Sequence, residues 1–197
     1  MNDRVDNQKR KVYYLPGRGG ELLKGLGEGL ISRGCEVSGR ETRDDFARLD
    51  FADQVRQIQQ DIKEEFAGVE AKLVANSYGA YLLLNALASL PPLQGSVLLL
   101  SPILGDSTSE SQRTAFSPPR ANFIRSLVDK GAFPVPAKCE IHVGSEDWQS
   151  DPDKAREFAK KLNISLKIVE GRGHVLGKDY VGPLLESWLT NPNCKKI

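Results

Sequence analysis

Apolar and polar positions along the chain fall into two kinds of block. Short apolar runs lie at Val12 to Leu15, Cys35 to Ser38, Lys72 to Ala75, Val97 to Leu100, Glu140 to Val143 and Leu166 to Val169, with longer amphipathic stretches between them. The short runs have the length and the Val, Ile and Leu content of buried strands. In the stretch Phe51 to Phe66, the residues Phe51, Val55, Ile58, Ile62 and Phe66 recur at three- and four-residue steps, the period of a helix with one buried face. The pattern predicts helices over Glu21 to Arg33, Phe51 to Phe66, Tyr78 to Leu90, Pro119 to Lys130, Asp153 to Leu162 and Tyr180 to Leu189. Six strands alternating with helices make a mostly parallel sheet. Right-handed crossovers then put helices on both faces, giving a doubly wound α/β sheet whose ligand site lies at the strands' carboxyl ends.

The least regular stretch is Ile103 to Pro136, where Gly105-Asp106-Ser107-Thr108-Ser109 is followed by Ser117-Pro118-Pro119, Gly131 and Pro134. It reads as an insertion of about 103–136 within a single domain spanning 1–197. With 197 residues, 40% apolar and 27% charged, such a domain buries roughly 70% of its unfolded surface. A formal charge of +1 offers no whole-molecule field for nucleic acid or an anionic membrane. Cys35, Cys139 and Cys194 are odd in number and widely spaced, which argues for reduced thiols rather than a disulfide framework or a zinc site. Met1 through Lys11 lacks an apolar core, Asn193 to Ile197 lacks a prenylation box, and no run approaches the ~18 apolar residues of a spanning helix. These features predict a cytoplasmic protein.

Candidate chemistry enters at Leu73-Val74-Ala75-Asn76-Ser77-Tyr78-Gly79-Ala80-Tyr81-Leu82, where an apolar strand runs straight into an apolar helix with a serine at the corner. A serine there sits in a tight, strained turn that demands small neighbours, and Ala75 and Gly79 supply them. The N–H of Tyr78, in the first helical turn, faces whatever Ser77 attacks. The competing reading is that Ser77 only caps the helix. At the ends of later strands stand Asp147, after the fifth, and His174, after the sixth. A serine hydroxyl is a weak nucleophile, so an imidazole has to take its proton and a carboxylate has to hold the imidazole. Asp151, a candidate helix cap, and Asp106, past the fourth strand, rival Asp147 as the acid. His142 lies inside an apolar strand and is assigned no chemistry.

Serine, acid and histidine in that chain order resemble the triad of an α/β-hydrolase of the small single-domain kind, and the likeness runs from Val12 to Leu189. By that resemblance Ser77 is the nucleophile. Asp147, in Gly144-Ser145-Glu146-Asp147, is the acid, and His174, in Gly171-Arg172-Gly173-His174, is the base. The loop Leu15-Pro16-Gly17-Arg18-Gly19-Gly20 resembles the oxyanion loop, with Pro16 in place of the usual histidine, so the N–H groups of Arg18 and Tyr78 form the oxyanion hole. The resemblance implies a fold lacking the first antiparallel strands of larger members. It implies cleavage of a small or medium carboxylic ester or thioester through an acyl-enzyme, without cofactor or metal. The alternative is a binding module on the same fold. A phosphate-binding reading of Gly17-Arg18-Gly19-Gly20 fails for want of a third glycine or a Gly-Lys-Ser/Thr sequence. Two further expectations concern the substrate: that Ile103 to Pro136 walls the acyl pocket with Ile103, Leu104, Phe116, Phe123, Ile124 and Leu127, and that Arg18 or Arg172 meets an anionic substrate group.

Overall fold

A computed structural model describes residues 10–67, 69–109 and 114–190; Cys194 and the terminal stretches 1–9 and 191–197 lie outside them. In chain order the strands are β1 (Arg10–Leu15), β2 (Cys35–Gly39), β3 (Ala71–Asn76), β4 (Gly95–Leu100), β5 (Ser107–Ser109), β6 (Thr114–Phe116), β7 (Lys138–Gly144) and β8 (Ser165–Val169). The six runs predicted as strands pair in the order β2-β1-β3-β4-β7-β8, every pair parallel. The sheet reverses direction of growth between β1 and β3, so the loops that follow these two strands flank the crevice where doubly wound sheets hold ligands.

The helices are α1 (Leu26–Ile31), α2 (Asp44–Arg48), α3 (Phe51–Glu65), α4 (Ser77–Leu87), α5 (Phe123–Asp129), α6 (Pro152–Leu162) and α7 (Lys178–Thr190). Successive strand residues point to opposite faces, and each face meets its own helices. Tyr13, Leu15, Leu73, Ala75, Val97, Leu99, Ile141 and Val143 share a core with residues of α3, α4, α5 and α6. Val12, Tyr14, Val74, Leu98 and Leu100 share a second core with Leu30 of α1 and Leu185, Trp188 and Leu189 of α7. The doubly wound α/β sheet is therefore as the hydrophobic pattern predicts. Three helices differ from that pattern, one of them the short α2, which it did not predict. The stretch expected to be helical from Glu21 begins its helix only at Leu26, because Gly25 takes φ +57° and Gly27 packs so closely on the Leu22 carbonyl that no Cβ fits. The helix expected from Pro119 begins at Phe123, after Arg120 has taken φ +59°.

Within 103–136 the short antiparallel pair β5 and β6 precedes α5. Ile124, Val128 and Phe133 are buried in the larger core, and Leu104, Phe123 and Leu127 pack against it; Ile103 is buried as well. The segment's α5 is therefore a packing element.

Candidate active site

The strand-to-helix corner forms as the small residues demand. Asn76 ends β3 and Ser77 begins α4 with no residue between, and Ser77 is held at φ +53°, a left-handed conformation costing of order 1 kcal/mol or more for a non-glycine residue. Gly79 lets the first turn of α4 lie against the end of β1. A Cβ there would stand 2.3 Å from the Pro16 carbonyl oxygen and 2.4 Å from that of Leu15. On the other side, a Cβ on Gly17 would meet Asn76 Nδ2 at 3.0 Å and Ser77 Cβ at 3.2 Å, so glycine lets the loop after β1 lie close against the serine. Ser77 does not act as a helix cap: the cap position is Asn76, which makes no capping bond.

The loop after β8 is positioned by a third glycine. A Cβ on Gly144, at the end of β7, would lie 2.1 Å from the Arg172 carbonyl oxygen and 2.4 Å from that of Gly173, and the Glu146 N–H donates to the Arg172 carbonyl at 2.8 Å. This close approach brings His174 between the other two residues. Its Nε2 lies 2.8 Å from Ser77 Oγ and its Nδ1 lies 2.9 Å from each carboxylate oxygen of Asp147.

Asp147 is 1% exposed. Burial alone raises its carboxyl, but hydrogen bonds from the His174 ring and the Ser150 N–H, with the attraction of the imidazole, more than offset burial and hold it below the usual carboxylate range. The N–H groups of Gln149 and Ser150 each donate to Oδ1 at 3.0 Å. An ionised carboxylate only accepts, so Nδ1 carries the proton and, in the neutral ring, Nε2 is free to accept the Ser77 hydroxyl proton. A serine hydroxyl, an imidazole and a carboxylate therefore stand in line.

The rival residues lie elsewhere. Asp151 caps α6, accepting from Asp153 N–H at 3.0 Å and Lys154 N–H at 3.3 Å. Asp106 is exposed and accepts from the Ser117 hydroxyl. His142 is buried and bonded through Nδ1 to the Tyr180 hydroxyl at 2.7 Å. Arg172 is paired with Asp179.

Ser77 and His174 open onto a cleft of about 900 Å³, whose walls include Pro16, Leu26, Leu176, Val181 and Leu185, with Gly17, Arg18 and Gly19 at its edge. Among the described residues, the N–H groups of Arg18 and Tyr78 donate to no protein acceptor. None of the described residues of 103–136 lines this cleft, which corrects the expectation that this segment walls the pocket. Leu104, Phe123, Ile124 and Leu127 lie in or against the larger core, and Phe116 sits beside Arg18 at the cleft's edge; residues of α1 and α7 form much of the wall instead.

Sequence reasoning did not single out Ser150, whose N–H holds Asp147 and whose hydroxyl lies 3.5 Å from His174 Nδ1. The signal was Asp147 followed three residues on by Ser150, a local turn in which a carboxylate accepts from backbone two and three residues ahead. Nor did it single out Asn76, fixed by the Tyr14 hydroxyl at 2.9 Å, or Ser101 at the end of β4. Ser101 takes φ +44°, lines the cleft and has a buried hydroxyl with no partner among the described residues.

No protein-family model matches this chain, and no curated protein matches it in sequence. Solved structures do match. A carboxylesterase of the thaumarchaeon Nitrososphaera gargenis shares 14% identity over 93% of this chain and 91% of its own, with a TM-score of 0.63. The monoacylglycerol lipase of Paleococcus ferrophilus shares 15% over 91% and 93%, with a TM-score of 0.65. The ydeN gene product of B. subtilis shares 14% over 93% and 100%, with a TM-score of 0.64. The chain therefore has an α/β-hydrolase fold, built on a wholly parallel six-stranded sheet among the described residues.

Proposed function

We propose that the protein is a serine hydrolase that cleaves a small or medium carboxylic ester or thioester through an acyl-enzyme. The observation that carries this reading is the continuous line from Ser77 Oγ to His174 Nε2 and from Nδ1 to the Asp147 carboxylate. As Ser77 attacks the substrate carbonyl, its proton passes to His174 Nε2, and Asp147 stabilises the imidazolium so formed. The carbonyl oxygen becomes an oxyanion held by the N–H groups of Arg18 and Tyr78, the second reinforced by the positive end of α4. His174 then returns the proton to the departing alkoxide or thiolate. Water, deprotonated by the same imidazole, releases the acid and restores Ser77.

The acyl chain occupies the apolar part of the cleft between α1 and α7. The carboxylesterase and monoacylglycerol lipase among the structural neighbours agree with ester substrates. Free thiols at Cys35 and Cys139 agree with a cytoplasmic setting, and no described helix is long and apolar enough to cross a membrane.

The test is Ser77→Ala. It removes one oxygen, so hydrolysis of 4-nitrophenyl acetate and covalent labelling by a fluorophosphonate are both expected to vanish while the melting temperature stays within a few degrees. Labelling of the folded variant at the wild-type rate, or residual turnover within tenfold, refutes the assignment. A folded wild-type protein that neither labels nor turns over any ester or thioester is a binding module instead.

A further inference from the structure

Four basic side chains line the cleft: Arg18, Lys24, Arg33 and Lys178. Lys24 is paired with Glu21 at 2.9 Å. Arg33 is paired with Glu186 at 2.9 Å and donates to the Gly29 and Gly182 carbonyls. Lys178 is exposed at the start of α7, a hydrated point charge on a flexible stem. Arg18 is different. Its guanidinium carbon lies 5.3 Å from the centre of the Tyr78 ring and 5.9 Å from that of Phe116, and among the described residues it has no carboxylate partner.

Aromatic faces attract a guanidinium through their quadrupole and limit its motion without using its N–H donors. The result is a cation whose planar fork is partly ordered in advance and, among the described residues, still unspent, the arrangement that recognises a carboxylate or phosphate through paired hydrogen bonds. Of the acidic residues on the cleft, Glu21 is neutralised by Lys24 and Arg43, and Glu28 is exposed on α1. Position gives the cation its meaning. Arg18 and Tyr78 are the two residues whose N–H groups hold the oxyanion in the proposed mechanism, so the guanidinium lies within one arginine side chain of the reacting carbonyl. Tyr78 and Phe116 do not line the apolar cleft, so Arg18 marks its border. A charged group is disfavoured against Leu26, Leu176 and Val181, which leaves that border to the part of the substrate that departs.

We propose that the site takes esters or thioesters whose leaving group carries a carboxylate or phosphate, and that Arg18 recognises that anion. This rests on the hydrolase reading above. Arg18→Gln keeps the backbone N–H, so disturbance of the oxyanion hole lowers turnover of charged and neutral substrates alike, whereas loss of anion recognition changes their ratio. The experiment compares kcat/KM for 3-acetoxybenzoate, 3-acetoxyphenyl phosphate and the neutral methyl 3-acetoxybenzoate. Wild type is expected to favour at least one charged ester over the neutral one by about tenfold or more, the scale of a charge-assisted hydrogen bond. Arg18→Gln is expected to remove that preference, Arg18→Lys to keep part of it, and added salt to weaken it. Whichever anion depends more on Arg18 identifies the group recognised. A charged-to-neutral ratio that is the same within twofold in wild type and Arg18→Gln overturns the proposal. If wild type hydrolyses none of the three, fluorophosphonate labelling of Ser77 decides the hydrolase reading, and calorimetric binding of the same compounds to folded Ser77→Ala protein decides the anion site separately. There, tighter binding of a charged ester that is lost in the Arg18→Gln, Ser77→Ala double variant sustains the site, and equal binding overturns it.

Discussion

At the scale of single residues, the site depends on one carboxylate being ionised and accepting. Asp147 is buried, receives two backbone N–H groups and meets His174 Nδ1 with both oxygens. Asp147→Asn leaves the shape intact but lets the amide present an N–H to Nδ1, so the imidazole turns its proton toward Ser77. Turnover is expected to fall by up to ~10⁴, against little change for Asp151→Asn or Asp106→Asn, and steady-state kinetics on one ester decides among the three. The same residue predicts a pH dependence of stability. Its carboxyl lies lower in the folded protein than in the unfolded chain, so its contribution is complete above the unfolded value of about pH 4 and is lost as pH falls through the lower folded value. The melting-temperature advantage of wild type over Asp147→Asn is therefore expected at pH 7 and to shrink below about pH 4; an advantage that persists unchanged at pH 3 contradicts this account. Ser77, Asp147 and His174 were legible because each stands at the end of an apolar run in a short glycine-bearing motif. Ser150 and the Tyr14–Asn76 pair were not, because a hydroxyl or amide looks the same in a sequence whether it faces solvent or a catalytic group.

At the scale of elements, glycines set how closely strands, helices and loops approach. Gly79 and Gly144 have backbone oxygens at 2.3 Å and 2.1 Å from where a Cβ would stand, while Gly173, one residue before His174, has nothing within 4 Å. Gly79→Ala and Gly144→Ala should each cost about 3 kcal/mol, since backbone rather than a side-chain tip has to move, and Gly173→Ala less than about 0.5 kcal/mol. Urea unfolding measures all three. Equal stabilities across the set contradict the close approach described. The strands were readable from their apolar runs because burial on both faces needs continuous apolar sequence. The start of α1 was not, since Leu22, Leu23 and Leu26 have helical spacing while the backbone turn at Gly25 depends on what packs above β1.

For the whole molecule, what matters is which helices meet at the carboxyl ends of the strands. The cleft beside Ser77 is walled from α1 and α7, whereas Ile124, on α5, is 1% exposed within the core. Narrowing the cleft with Leu26→Trp or Val181→Trp is expected to shorten the longest acyl chain accepted, read from a graded series of 4-nitrophenyl esters. Ile124→Ala is expected to lower stability by about 2–5 kcal/mol and leave that preference where it was. The reverse pattern moves the acyl site back to 103–136.

The sequence by itself determined the parallel doubly wound sheet, the order of Ser77, Asp147 and His174 along it, and the corner that strains Ser77. Each of these rests on local periodicity and short-range sterics, which a chain carries at every point. Tertiary structure alone decided that α1 and α7, 152 residues apart between Leu26 and Lys178, wall the cleft, that α5 is spent on packing, and that Tyr78 and Phe116 seat Arg18. Periodicity says that a face is buried but not against what, because burial lowers free energy with any apolar partner, and only the closed fold selects which partner is present.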